Sequence, residues 1–330
     1  MTHAAGGSLW SDQAGPPRPR EPLAGATTAD VVVVGAGLTG LWTAYYLARA
    51  EPSLEVLVVE AEHVGFGASG RNGGWASALF PVGAAALARS HGEPAARAMR
   101  AAMRATVHEV GAVCRAESID CDYRRGGTVA LARTGPQLAR ARAEVAAARA
   151  WGDEVELWDA TATRARLAAQ RVLGATYTPD CARIHPARLV RGLADAAEAR
   201  GVRIVERTRA LALEPGRVRT DRGTVRARHV VRATEAWTAT LPGSRRAVVP
   251  VYSLMIATEP LSPAVWRAIG LRHGETFTDH RHLIVYGQRT ADDRLAFGGR
   301  GAPYHWGSAI DPGFDHEPAV FDALERTLHD

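Results

Sequence analysis

The segment Asp30-Val31-Val32-Val33-Val34-Gly35-Ala36-Gly37-Leu38-Thr39-Gly40 constrains this chain more than any other. Four consecutive valines suit a strand buried on both faces, and the glycines behind them mark a sharp turn into a helix. Gly35 permits the turn. Gly37 leaves the backbone bare for an approaching phosphate, and Gly40 lets the helix lie close to the sheet. A second apolar run, residues 56–59, ends in Glu60 and Ala61, with the acid 20 positions beyond Gly40. Strand, turn, helix, strand and acid in this register describe a dinucleotide-binding βαβ unit. The amides of Ala36, Leu38 and Thr39 stand at a helix N-terminus, where unpaired N–H groups and a partial positive charge favour a diphosphate. Glu60 is placed to accept from an adenosine ribose and to repel a 2′-phosphate. The alternative is an ordinary βα turn followed by a surface glutamate.

Composition narrows the remaining choices. The net charge of +5 comes entirely from arginine, because all 40 basic residues are Arg and no lysine occurs. The arginines are scattered rather than clustered, which points to compositional bias and away from nucleic-acid binding. Without lysine, Schiff-base chemistry with pyridoxal phosphate is excluded. Cys114, Cys121 and Cys181 have no metal-ligand spacing and cannot form an even disulfide set. Twelve histidines without an i, i+4 pair give no zinc signal. No run approaches the roughly 18 to 20 apolar residues of a membrane span. Residues 1–28 lack the apolar core of a secretory signal, so a cytoplasmic protein is expected.

A chain of 330 residues suggests two domains. Residues 1–28 read as an N-terminal arm. Pro16, Pro17, Pro19 and Pro22 oppose regular helix there, while Leu9 and Trp10 offer apolar anchors. A helix over 93–117 would carry Met99, Met103, Val107, Val110 and Cys114 as a core stripe. Short strands are expected at 119–124 and 127–132, and a helix at 136–151. Near Ile184-His185-Pro186 the α/β pattern resumes with a helix over 187–200 and a strand over 202–206, and from 248 to 299 the text is β-rich. The expected fold class is α/β (α+β overall): a Rossmann-like dinucleotide domain from 29–90 and 184–247, with a β-rich substrate domain from 91–183 and 248–330 interleaved.

The loop Gly65-Phe66-Gly67-Ala68-Ser69-Gly70-Arg71-Asn72-Gly73-Gly74 decides between cofactors. A nicotinamide domain normally reaches its third parallel strand soon after the acid. This chain instead inserts a glycine-rich loop and a long helical excursion, which favours FAD. Backbone amides from Gly67 to Gly73 can serve the pyrophosphate and ribityl region, Ser69 and Asn72 add hydrogen bonds, and Arg71 can balance phosphate charge. An NAD-dependent dehydrogenase remains an alternative reading, as does a flexible surface loop.

Taken with the segments at 182–204, 230–237 and 286–301, these motifs resemble the FAD-dependent oxidoreductases of the D-amino-acid oxidase superfamily, in particular the branch that includes γ-glutamylputrescine and glycine or sarcosine oxidases. The resemblance implies a β-sheet covering the flavin, an adenine contact at Ala210, and a cofactor-proximal stretch at Ala233 and Thr234. It also implies hydride transfer from the carbon beside an amine nitrogen to flavin N5, with the imine then hydrolysing. The partners implied are a small amine or amino acid and oxygen or another electron acceptor. Some oxidases of the superfamily use a lysine toward oxygen, so here Arg71 or a different acceptor would have to serve. Related chains continue into a closing C-terminal strand and helix, and this one is expected to lack them. A truncated, inactive flavoprotein-like binding protein is therefore a second reading. In the β-rich section Tyr252 and Tyr286 can hydrogen-bond an amine, and Arg289 and Arg300 can grip a carboxylate through paired bonds. Sheet packing, or ion pairing with Asp292 or Asp293, is the plainer role for each. His185 and His305 read as turn histidines.

Overall fold

The computed structural model describes residues 7–329, so residues 1–6 of the expected arm and Asp330 lie outside the described residues. Among the described residues, three sheets organise the fold. The first has six strands in the order Arg203–Val205, Val56–Val59, Thr27–Val34, Thr224–Arg232, Arg217–Thr220 and Ala210–Glu214. Its first four strands run parallel, with Val31 opposite Val56 on one side and His229 on the other. The last three form an antiparallel meander. Valines 31–34 and the whole run Val56–Val59 are buried. That is why both read as unbroken apolar stretches: layers cover each face of the central parallel strands.

The helix Leu38–Ala50 packs on one face through Leu41, Ala44, Tyr45 and Ala48. Burying an aliphatic or aromatic side chain of this size contributes roughly 1.5–3 kcal/mol. Beside it lies the helix Pro186–Glu198, buried along Leu189, Val190, Leu193 and Ala197. His185 caps that helix by accepting the Arg188 amide through Nδ1, and Pro186 occupies its first turn, where a missing N–H costs nothing.

The second sheet is mixed and seven-stranded: Leu254–Ala257, Leu295–Gly299, Val285–Arg289, Thr276–Asp279, Thr128–Ala132, Gly174–Thr178 and Glu156–Asp159. Its core gathers Trp266, Leu271, Phe277, Phe297 and Leu324. A two-stranded ribbon pairs Trp75–Ser77 with Cys181–Arg183, joining the glycine-rich loop to the approach of helix Pro186–Glu198.

Several sequence expectations are corrected. Residues 119–124 form no strand, only a single bridge between Arg124 and Arg183. The helix Glu93–Ala116 forms as expected, but Met99 is exposed and Met103 half-buried, so apart from Ala96 the buried stripe lies in its C-terminal half. The N-terminal segment contains a helix after all. Leu9–Ala14 sits ahead of the prolines, started by a reciprocal Ser8–Ser11 capping box. Among the described residues, no helix is long and apolar enough to cross a membrane.

Candidate cofactor site

A cleft of about 740 Å³ opens where the glycine turn leaves the first sheet. That volume falls within the roughly 300–1,000 Å³ typical of ligand sites. Gly35, Ala36 and Gly37 form one wall with Glu60 and Ala61, while Gly67, Ala68, Ser69 and Arg71 form the facing edge. Ala210, Ala233 and Thr234 complete the end nearest the first sheet, and Tyr252 enters from the second sheet's side.

The turn glycines are required sterically, each for a different reason. Gly35 has φ of +109°, and a Cβ there would collide with the Ala233 carbonyl oxygen. A Cβ on Gly40 would collide with the Gly35 carbonyl oxygen. Gly37 differs, because its Cβ would meet only the Ser69 hydroxyl, at 2.8 Å, and would otherwise project into the cleft. The helix that starts at Leu38 has no capping side chain from Gly37 itself. Ser69 supplies the cap from across the cleft, its Oγ accepting the Leu38 amide at 2.9 Å.

Glu60 faces the same space. Its carboxylate accepts the Ala36 amide at 2.8 Å and the Glu62 amide at 3.0 Å. Burial pushes the carboxyl up, and the two amide bonds oppose that rise. A carboxylate has about four acceptor positions, so two remain for ribose hydroxyls. The bare backbone at Gly37, the anion-seeking helix start and the acid with spare acceptors together fit the diphosphate and ribose of a dinucleotide.

The glycine-rich loop is held through its own carbonyls. Trp10 Nε1 donates to Asn72 O at 2.9 Å. Gln288 Nε2 donates to Gly73 O at 2.8 Å and to Gly74 O at 3.0 Å, and the Ile184 amide also reaches Gly74 O at 2.7 Å. Within the loop, the Asn72 side chain accepts from the Gly74 amide and donates to the carbonyls of Ala68 and Ser69. Gly70 is buried against Gly65, and Gly73 lies under the Tyr286 ring.

The remaining sequence candidates separate clearly. Leu38, Thr39 and Gly40 form the first helical turn behind the cleft wall, and Gly70, Asn72 and Gly73 are the rear of the loop. Arg71 pairs with Asp315 at 2.7 Å and lies over the Phe66 ring. Tyr252 meets the rings of His305 and Phe314 edge-on, and burial raises its pKa. Tyr286 hydrogen-bonds Ser253 at 2.8 Å. Burial raises its pKa while the positive charge of Arg300 works against the rise. Arg300 itself is exposed. Arg289 does not line the cleft: it forks onto Asp293 at 2.6 and 2.9 Å and stacks over Trp266, so the plainer role weighed for it is the one its contacts describe. Two supporting roles were not foreseen: Trp10, expected as an apolar anchor, also donates to the loop, and Gln288 was not singled out. Gln288 was within reach, since period-two alternation puts it on the same face as Tyr286.

These features define a dinucleotide-cofactor protein with its site at the end of a parallel sheet. Residues 30–330 match the family model described as FAD dependent oxidoreductase (DAO), and the chain belongs to that family. Its cofactor is accordingly FAD. The chain is 34% identical to gamma-glutamylputrescine oxidoreductase of Escherichia coli, covering 97% of this chain and 75% of that one. It is 33% identical to the probable oxidoreductase OrdL of Haemophilus influenzae, covering 84% of this chain and 66% of that one. Among solved structures, glycine oxidase from Geobacillus kaustophilus superposes with a TM-score of 0.71 at 22% identity, over 92% of this chain and 78% of that one. L-proline dehydrogenase from P. horikoshii gives 0.66 at 17% identity, over 94% and 79%. At such identities these two structures speak for the fold.

Proposed function

We propose that the protein oxidises a C–N bond of a small amine or amino acid, with FAD held in the cleft described above. The observation that carries this reading is the pairing of a dinucleotide cleft with a second sheet whose polar side chains gather beside the cofactor loop. In this assignment the glycine turn and the start of helix Leu38–Ala50 take the diphosphate, and Glu60 takes the ribose. The loop from Gly67 to Gly73 borders the flavin, while Ala210, Ala233 and Thr234 line the rest. When bound, FAD supplies the acceptor for a hydride leaving the carbon beside the nitrogen. An imine product hydrolyses in water to a carbonyl compound and an amine or ammonia.

The protein's own side chains would bind and orient. The Tyr286 phenol is protonated at neutral pH, as an ordinary tyrosine is, and burial raises its pKa further, so it can donate to one group while exchanging a hydrogen bond with Ser253. Arg300 adds a cation nearby, suited to a substrate carboxylate. Tyr252 closes the other side of the cleft. The named substrate of the Escherichia coli relative is an amine, and the two structural neighbours are named for amino acids, which sets the classes to assay.

The test is spectroscopic. Purified protein, supplemented with FAD, is mixed anaerobically with a panel of amines and amino acids that includes gamma-glutamylputrescine, glycine and proline. Bleaching of the flavin absorbance by at least one compound is expected. Bound flavin that no member bleaches would reject amine oxidation, and reoxidation with air or with an artificial acceptor then identifies the electron sink.

A further inference from the structure

We propose that Trp10 is a positioning residue for the cofactor loop, and that the N-terminal segment acts as a strap fastening both flanks of that loop. The inference rests on FAD lying in the cleft bordered by residues 67–71. Four of the eight residues from Gly67 to Gly74 are glycine, so the loop has much conformational freedom to lose and must be ordered from outside. The strap does this at two points. Downstream, the Trp10 indole N–H holds the Asn72 carbonyl at 2.9 Å. Upstream, buried Glu206 accepts the Val64 amide at 2.9 Å, and the same carboxylate accepts the Arg20 backbone amide at 3.2 Å.

The strap is itself well secured. Trp10 is 4% exposed, packed with Ala187 and Ala296 and edge-on to His185 at 5.1 Å. Arg191 donates to the carbonyls of Ala14 and Gly15 at 3.1 and 2.7 Å, fixing the end of the short helix. Gln13 reaches Asp292 at 2.7 Å beside the second sheet. Arg20, 7% exposed, is ringed by Asp195, Glu198 and Glu206. A terminal tryptophan that only filled space would leave its N–H to whichever acceptor lay nearest on helix or sheet. Here the donor goes to a loop whose other carbonyls, on Gly73 and Gly74, are also held from outside. Trp10 is thus the third member of a set that fixes the loop's register.

The experiment titrates FAD into the apoprotein for wild type, Trp10→Phe and Arg191→Ala, and records the thermal midpoint with and without FAD. Trp10→Phe keeps a ring and removes the donor. It is expected to weaken FAD binding about 3- to 10-fold, the range corresponding to one lost hydrogen bond, and to shrink the rise in midpoint that FAD confers. Arg191→Ala loosens the strap without touching the loop, and is expected to weaken FAD binding in the same direction. It also serves if Trp10→Phe fails to fold. A purely structural strap would lower the apo and FAD-bound midpoints in parallel at unchanged affinity, and that result overturns the proposal. Failure of the wild type to bind FAD would instead overturn the cofactor placement beneath it.

Discussion

The three turn glycines separate folding from cofactor binding, and Gly37→Ala is the informative substitution. Its new methyl would sit 2.8 Å from Ser69 Oγ, a contact the hydroxyl relieves by rotating away. Rotation gives up the cap on the Leu38 amide, which costs about 1 kcal/mol of stability. The midpoint of unfolding should therefore fall by only about 2–4 °C. Binding should suffer far more, because the methyl projects where the proposed diphosphate position needs bare backbone. Displacing the ligand from even one or two charge-assisted amide bonds costs about 3 kcal/mol, or roughly 100-fold in affinity. Gly35→Ala and Gly40→Ala differ, since each new Cβ collides with a backbone carbonyl that cannot move without the sheet. Those two variants should lose soluble, folded protein altogether. The assay is FAD titration by flavin fluorescence beside a thermal melt of the apoprotein. A folded Gly37→Ala protein with wild-type FAD affinity would refute the placement of the diphosphate at this turn.

Three further outcomes follow from named contacts. Gln288→Leu leaves the Gly73 carbonyl without its partner while Gly74 keeps the Ile184 amide, so urea denaturation should show a loss of about 1–3 kcal/mol; an unchanged midpoint would contradict the clamp. His185 is held to a pKa of about 4, chiefly by burial and secondarily by Arg188, with Arg191 acting in the same direction and Asp292 opposing. Its folded value lies below the free value near 6.5, so its contribution is whole above about pH 6.5 and disappears as pH falls through about 4. The linkage is worth roughly 3 kcal/mol at most. His185→Asn retains a capping side chain and should flatten that part of the acid limb in a pH series of melts; a limb identical to wild type would show that other groups set it. Arg300→Ala should raise KM about tenfold or more for a carboxylate-bearing substrate while leaving carboxylate-free amines unaffected; equal effects on both classes would remove Arg300 from substrate binding.

Local pattern made the nucleotide half of the site legible. The valine runs, the glycine spacing and Glu60 all lie within about thirty residues, where period and turn chemistry report directly on structure. The same locality brought Ser69 and the loop into view. The second sheet was harder to read. Arg289 could be read as a carboxylate grip or as a partner of Asp292 or Asp293, because a strand arginine alone does not choose between them; its contacts select Asp293 and add the Trp266 ring. Residues 119–124 have strand-like character, yet their backbone pairs only at isolated points, Arg124 with Arg183 and Cys121 with His185, so no ladder forms. Trp10 was legible as an apolar anchor but not as a donor to the loop. Its partner, Asn72, lies 62 positions away, and no periodicity links a short helix before a proline tract to a distant loop.

The glycine-rich loop takes its three fixing donors from positions 10, 184 and 288. No short segment of the polypeptide contains them all. Assembly of the ligand-competent shape must therefore wait until the chain's beginning, middle and later strands have met, which makes it a late, high-contact-order event. Retention of the yellow colour would then serve as a readout of whole-molecule integrity, lost on local loosening at any of three remote places.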